Sequence, residues 1–427
     1  MAEVRPVTSA KQPRQQLSKG MEHMRFAVTV PDQPANQGLQ SDNPDQSLQA
    51  TPTDPTTPPT SNEEPAYGVP THYQPLRKPA SDSASNPEKR TDPFQFGSRY
   101  LEEGDDIFAY NAWDHVEVDE AYKDFIVAQT ELQRSSPVSE HDKKRFNEKP
   151  EKWWDKFYSN NQANFFKDRK WLGQEFPLLK EVTKEGYGDV TVLEVGAGAG
   201  NTAFPIVGMN KNEGLRVVAC DYSKKAVEVM RKSELYNEKY MRAEVWDLAG
   251  EGDAALPPGL EKHSADIVIM VFVFSALEPR QWTQALKNVW NVLKPGGHVL
   301  FRDYGRGDLA MVRFKKGRYL EENFYVRGDG TRVYFFELDE LRQIWSGTAP
   351  PQQPEGSEDA LAERLSGATL EQASTIRTTN DDDAPRFDIL NIAVDRRMLV
   401  NRQRRLKMYR AWMQGLFQKP DQTNGGS

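Results

Sequence analysis

At 427 residues, with a net charge of -8, a pI near 5.5 and a mean hydropathy of -0.75, the chain as a whole repels nucleic acid, so contact with it requires a local basic face. Its one cysteine, Cys220, excludes a disulfide framework and a CxxC metal site and suits a reducing compartment, by default the cytosol. The chain lacks a continuous apolar run of membrane-spanning length, and its first residues lack the apolar core of a secretory signal; Arg5, Lys11, Arg14, Lys19 and Arg25 leave a mitochondrial presequence as the alternative, although Gln and Pro interrupt any amphipathic helix there.

In chain order, residues 1–92 are Pro, Ser, Thr, Gln and Asp with few aromatics (TPTDPTTPPTSNEEP) and read as a disordered tail. Residues 93–185 read as a helical extension, with WWDKFYSNNQANFFKDRKWL (153–172) as one helix. From 186 to 420 the pattern alternates: TVLEV, RVVAC, ADIVIMVFVF and HVLFRDY resemble buried parallel strands, and KKAVEVMRKS and QWTQALKNVWNVL are helical. This predicts a doubly wound, Rossmann-like α/β sheet. LKPGG ends a helix before HVLFRDY, and NFYVRGDGTRVYFF, with arms around Gly328-Asp329-Gly330, predicts a β-hairpin. Residues 346–385 read as a disordered surface insertion with a short helix around LAERL. DILNIAVDRRML and KMYRAWMQGLF predict an antiparallel pair at the sheet edge, and 421–427 a flexible tail.

The turn after TVLEV carries Gly196, Gly198 and Gly200, so a ligand can press on bare backbone. It is not a G-x-G-x-x-G dinucleotide turn, because Asn201 follows where the third glycine belongs, and no Gly-Lys-Ser/Thr phosphate loop follows. Glu194 instead gives E-x-G-x-G-x-G, and a carboxylate there suits a ligand bearing positive charge, as the amino acid moiety and sulfonium of S-adenosylmethionine do. Asp221, at the end of the second strand, is placed to accept from ribose hydroxyls, and Asp247 in AEVWDLA, after a third, from an adenine amino group. Such glycines also serve helix-sheet packing, and strand-end acids also cap helices. Three acids after three successive strands favour the cofactor.

Absences narrow the acceptor. Cys220, the only thiol, sits beside the ribose acid, which argues against a C5-pyrimidine methyltransferase, and VFVFSALEP lacks the Asn/Asp-Pro-Pro-aromatic clamp used on exocyclic base amines. WWDKFYSNNQANFFKDRKWL, LEVGAGAGN, VFVFSALEP, KPGGHVLFRDYG, ENFYVRGDGTRVYFF and LKMYRAWMQ together resemble the eukaryotic tRNA N3-methylcytidine methyltransferases that act on position 32 of the anticodon loop. FGSRYLEEGDDIFAYNAWDHVE resembles the extension of the threonine-tRNA branch. Ala197 stands where that family usually has cysteine, and the insertion at 346–385 is atypical of it.

The resemblance implies a class I S-adenosylmethionine-dependent methyltransferase domain at 186–420 and a lid and tRNA-binding region within 93–185. Alone, Trp154 and Tyr158 at i and i+4 read as a core staple; by resemblance they lie over the cofactor, with Gly196, Asp221, Asp247 and Val271. Cytosine N3 has a free lone pair, so its methylation needs no general base and leaves a cationic base. Asp303, ending HVLFRDY, is expected to face the cytidine and favour that cation, against the plainer reading that it caps a turn or pairs with Arg302. Lys167, Arg169, Arg327, Arg332 and the run Arg396, Arg397, Arg402, Arg404, Arg405, Lys407, Arg410 are candidates for phosphate contact, although such runs are usually solvated faces. Phe165, Phe166, Tyr325 or Tyr334 are candidates for stacking on the extruded base. The expected partners are tRNA and a helper such as an aminoacyl-tRNA synthetase. The competing readings are a protein or small-molecule methyltransferase and a non-catalytic scaffold of the same fold.

Overall fold

A computed structural model describes residues 100–347, apart from 102, 103 and 170, and residues 385–421. The expected tails and the LAERL helix lie outside them. Eleven strands are described: β1 (Ala112–Asp114), β2 (Val190–Val195), β3 (Leu215–Asp221), β4 (Met241–Val245), β5 (Ala265–Val271), β6 (Leu293–Tyr304), β7 (Tyr319–Glu321), β8 (Phe324–Val326), β9 (Arg332–Tyr334), β10 (Asp388–Asn401) and β11 (Leu406–Gln418). The helices are α1 (Glu120–Arg134), α2 (Glu140–Glu148), α3 (Pro150–Asn161), α4 (Leu172–Glu175), α5 (Pro177–Val182), α6 (Ala203–Met209), α7 (Lys224–Arg231), α8 (Trp282–Val292), α9 (Leu309–Val312) and α10 (Leu338–Ser346).

The main sheet has the order β1-β10-β11-β6-β5-β2-β3-β4. The five strands from β6 to β4 are parallel, while β11 joins β6, β10 joins β11 and β1 joins β10 antiparallel. Chain order reverses between β2 and β5, so the crevice beyond their carboxyl ends is where a doubly wound sheet binds ligands. Strand alternation divides the core into two layers. Leu193, Val195, Val218 and Val268 face α8 and α10, while Val192, Val217, Ala219 and Ile269 face α5, α6 and α7. With both faces covered the parallel strands read as unbroken apolar runs, each buried Val, Leu or Ile contributing about 1.5–3 kcal/mol.

The predicted β8–β9 hairpin forms, joined by β7 into a separate three-stranded sheet. The predicted C-terminal pair also forms and extends the main sheet, with the three-residue β1 beyond it, a strand too short to announce itself by alternation. One expected element is shorter than predicted: the helix over 153–172 stops at Asn161, and Gln162 has a φ of 49°. The polar run explains it. Asn161 Nδ2 donates back to the Phe157 carbonyl at 2.8 Å, and Gln162 Nε2 donates to that of Ser159 at 3.0 Å, an acceptor that a further helical turn would need.

Candidate active site

A cavity of about 1090 Å³ opens beyond the carboxyl ends of the parallel strands. That is at or above the upper end of the ~300–1,000 Å³ typical of small-molecule sites, which leaves space beside a bound cofactor. Gly196 and Gly198 form one wall, with φ values of 67° and 59°. Neither position has room for a side chain: a Cβ on Gly196 would meet Val273 and one on Gly198 would meet the Tyr158 hydroxyl. Gly200 does not line the cavity, because Phe204 packs where its side chain would be, so the third glycine serves packing.

Asp221 anchors the turn. Its Oδ2 accepts from the Gly198 amide and its Oδ1 from the Ser223 amide, each at 2.8 Å, and burial pushes its carboxyl up to about 6. Ser223 in turn caps α7, its Oγ accepting from the Ala226 amide at 3.1 Å. Asp247 lines the same wall between Trp246 and Leu248; burial raises its carboxyl, and its Oδ1 accepts from the Ala249 amide at 2.9 Å. Trp154 and Tyr158 on α3 face them with rings stacked at 6.2 Å, and Val271 lies on the floor. The structure thus brings together Trp154, Tyr158, Gly196, Asp221, Asp247 and Val271, and these residues fit a nucleoside with an aliphatic cationic arm.

Glu194 and Arg169 depart from expectation together. Glu194 lies beneath the turn, outside the cavity lining and 1% exposed, and the cation it faces is Arg169, at 3.7 Å. Burial pushes its carboxyl up to about 7. Since α3 ends at Asn161, the following segment is free to cross the glycine turn: the Arg169 amide donates to the Asn201 carbonyl at 2.9 Å and its guanidinium to Thr202 Oγ1. Arg169 is therefore an internal tie at the cavity wall, and a phosphate contact would require breaking it.

Several other cations are also occupied. Arg332, 3% exposed, donates to Asn147 Oδ1 at 3.0 Å and to the Ala276 carbonyl at 3.2 Å, and lies 3.8 Å from Glu278, which corrects its assignment to phosphate. Arg397 pairs with Asp114 at 2.9 Å, Arg410 with Asp308 at 2.8 Å and Lys407 with Asp119. Arg405 lies over the Phe108 ring, 4.2 Å from its centroid. Lys167 and Arg402 are exposed; Lys167 and Arg327 line the cavity, Arg327 with its guanidinium 5.7 Å from the Tyr304 ring centre. Among the aromatics, Tyr325 and Tyr334 are buried in packing, Tyr325 stacked on Phe314 at 4.9 Å, so neither reaches a base; Phe165, 58% exposed, and Phe166 line the cavity.

Asp303 is wholly buried and does not line the cavity. Strand alternation sends its neighbours Arg302 and Tyr304 into the cavity and Asp303 to the other side. There its oxygens accept from the Ser275 amide at 2.9 Å and the Tyr304 amide at 2.8 Å, and burial pushes it up to about 6. It holds the loop after β5 in place, close to the capping reading, and does not pair with Arg302. Arg302 was missed as a site residue. It lies between the Trp171 and Trp412 rings, 5.1 and 4.9 Å from their centres, donates to Asp395 Oδ2 at 3.1 Å and to Gln414, and is 3.8 Å from Glu175. Its only signal in the sequence was the alternation that set Asp303 apart from it.

A Rossmann-like sheet with this glycine turn and these strand-end acids defines a methyltransferase domain, and residues 193–299 match the family described as "Methyltransferase domain". The methyl donor of this class is S-adenosylmethionine. The chain is 42% identical to a tRNA N(3)-methylcytidine methyltransferase of Schizosaccharomyces pombe over 76% of its own length and 92% of that protein's. It is 38% identical to one of Drosophila melanogaster, over 82% and 95%. It is also 47% identical to the tRNA(Thr) (cytosine(32)-N(3))-methyltransferase of Saccharomyces cerevisiae, over 80% of the chain but only 48% of that longer protein. The chain belongs to the tRNA N3-methylcytidine methyltransferase family, as its motifs implied.

Proposed function

We propose that the protein transfers the methyl group of S-adenosylmethionine to N3 of the cytidine at position 32 in the anticodon loop of tRNA(Thr). The observation that carries this reading is the kinship to relatives named tRNA N(3)-methylcytidine methyltransferases, over more than nine-tenths of the length of two of them; position 32 and tRNA(Thr) come from the name of the Saccharomyces cerevisiae relative. The site is compatible with it. The N3 lone pair forms the new N–C bond as the C–S bond breaks, sulfur keeps the bonding pair, and the positive charge passes from sulfur to the base. No base needs to remove a proton and no thiol nucleophile is needed; burial raises the Cys220 thiol, which lies in the core. Orientation and a suitable electrostatic setting are what the enzyme supplies.

Domain limits stay as the sequence suggests, with a lid and tRNA-binding region in 93–185 and the methyltransferase domain in 186–420. A cytoplasmic setting, and a helper such as an aminoacyl-tRNA synthetase, are part of the same proposal. The test is mass spectrometry of nucleosides in tRNA(Thr) from cells lacking the protein, with purified full-length protein and labelled donor in parallel. The expected result is loss of 3-methylcytidine in the cells and its formation in vitro on tRNA carrying cytidine at 32 but not uridine. Full retention of 3-methylcytidine in the deleted cells overturns it; activity only after cell extract is added shows that the helper is needed.

A further inference from the structure

Phe272 directly follows β5 and lines the cavity with a backbone φ of 59°. That region suits glycine and is an outlier for a bulky aromatic residue. The conformation is held from below, where the Phe272 amide donates to the Arg302 carbonyl at 2.8 Å on neighbouring β6. Its ring is half-buried: one part packs against the core beneath the glycine turn, the Arg169 guanidinium lies 5.8 Å from its centre, and the rest faces the cavity. Tyr304, the last residue of β6, presents its ring to the same cavity, 4.8 Å from that of Phe272 and tilted by 42°. Backbone strain of this kind persists where the surroundings over-determine it, and it gathers at working sites.

We infer that Phe272 and Tyr304 form the surface against which the acceptor base lies, so that the left-handed turn at Phe272 serves to aim a ring at the base. The inference rests on the base-methylating function proposed above. The pair stands at the ends of two adjacent strands, next to Val271 on the cofactor floor, where the acceptor must meet the methyl group. A flat heterocycle matches a ring face whatever its hydrogen-bonding edges, which leaves N3 free to be directed at the donor. The surface also discriminates between ground and transition states. Neutral cytosine gains stacking alone, whereas the base that takes up positive charge from sulfur is also attracted by the negative ring faces, so the interaction strengthens as the N–C bond forms.

The test uses full-length protein, labelled donor and a tRNA(Thr) transcript, comparing F272L, F272Y and F272G with the unaltered chain. Failure of the unaltered protein to methylate cytidine 32 both alone and with cell extract added would count against the proposed function; the variants, assayed under the condition in which the unaltered protein is active, address the ring surface. F272L keeps bulk without a ring face, and its kcat should fall about 10- to 100-fold, the range that loss of one base-aromatic stack gives. F272Y should stay within about threefold of the unaltered chain by the same principle. Donor binding by calorimetry should be unchanged in both, and the melting temperature of F272G should equal or exceed that of the unaltered chain, because glycine accepts the turn without strain. Equal losses in F272L and F272Y, a loss explained by weaker donor binding, or near-normal kcat in F272L would each overturn the inference. If F272G does not fold, F272L and F272Y decide it alone.

Discussion

The two ends of the cavity are built by different means. At the glycine-turn end, Asp221 serves a backbone turn a short distance away in sequence, reaching back to Gly198 and on to Ser223. At the other end, Arg302 is held by α4, β10 and β11, through Glu175, Asp395, Gln414 and Trp412, from segments far apart in the chain. One end is a local motif that any chain with this turn could fold. The other exists only once the C-terminal hairpin has docked on β6.

Breaking the distant network should have the largest effect. R302L strands Asp395 and Glu175 in the core without their cation, and the protein should lose about 3–5 kcal/mol of stability in urea unfolding, as for other broken buried ion pairs. A local break should cost less and show in binding. D221A removes an acceptor that orders the glycine turn and faces the cavity, and calorimetry should report donor binding weaker by about 30- to 100-fold, the worth of hydrogen bonds to a charged group. The fold itself should survive it.

The acid at the local end also gives a pH signature. Burial raises the Asp221 carboxyl to about 6, so it is ionised and a full acceptor above that pH and gains a proton below it. Donor affinity should fall as pH drops through 6, by up to tenfold per unit, and D221N should flatten the dependence. A smaller change is expected at the rim. Arg327→Ala removes a cavity-lining cation, and kcat/KM for tRNA should fall a few-fold, with a reduced salt dependence if that arginine meets a phosphate. The smallest effect concerns the insertion. The Phe387 amide donates to the Trp345 carbonyl at 3.0 Å, so the ends flanking 348–384 are already joined. Replacing that stretch with a short glycine-serine linker should change stability by less than about 1 kcal/mol, because closure entropy varies slowly with length.

The same contrast explains how much could be read from the sequence. The parallel strands, the glycine turn and its acids were legible because each is a local pattern whose spacing carries its own meaning. Trp154 and Tyr158 became legible only through family resemblance, since helical spacing alone equally describes a core staple. Glu194 and Arg169 were each given an external ligand because nothing local announces that the chain after Asn161 crosses the glycine turn and joins them. Arg332 and Arg397 looked available for the same reason: the acids that engage them, Glu278 and Asp114, come from other segments. Arg302 and Phe272 went unread because one lay beside a more conspicuous acid and the other depends on a backbone angle that composition does not encode.

The clamp on Arg302 also limits how the enzyme can move. Because one guanidinium fastens β6 to the C-terminal hairpin and to α4, any shift of that hairpin would carry with it the strand that bears Tyr304.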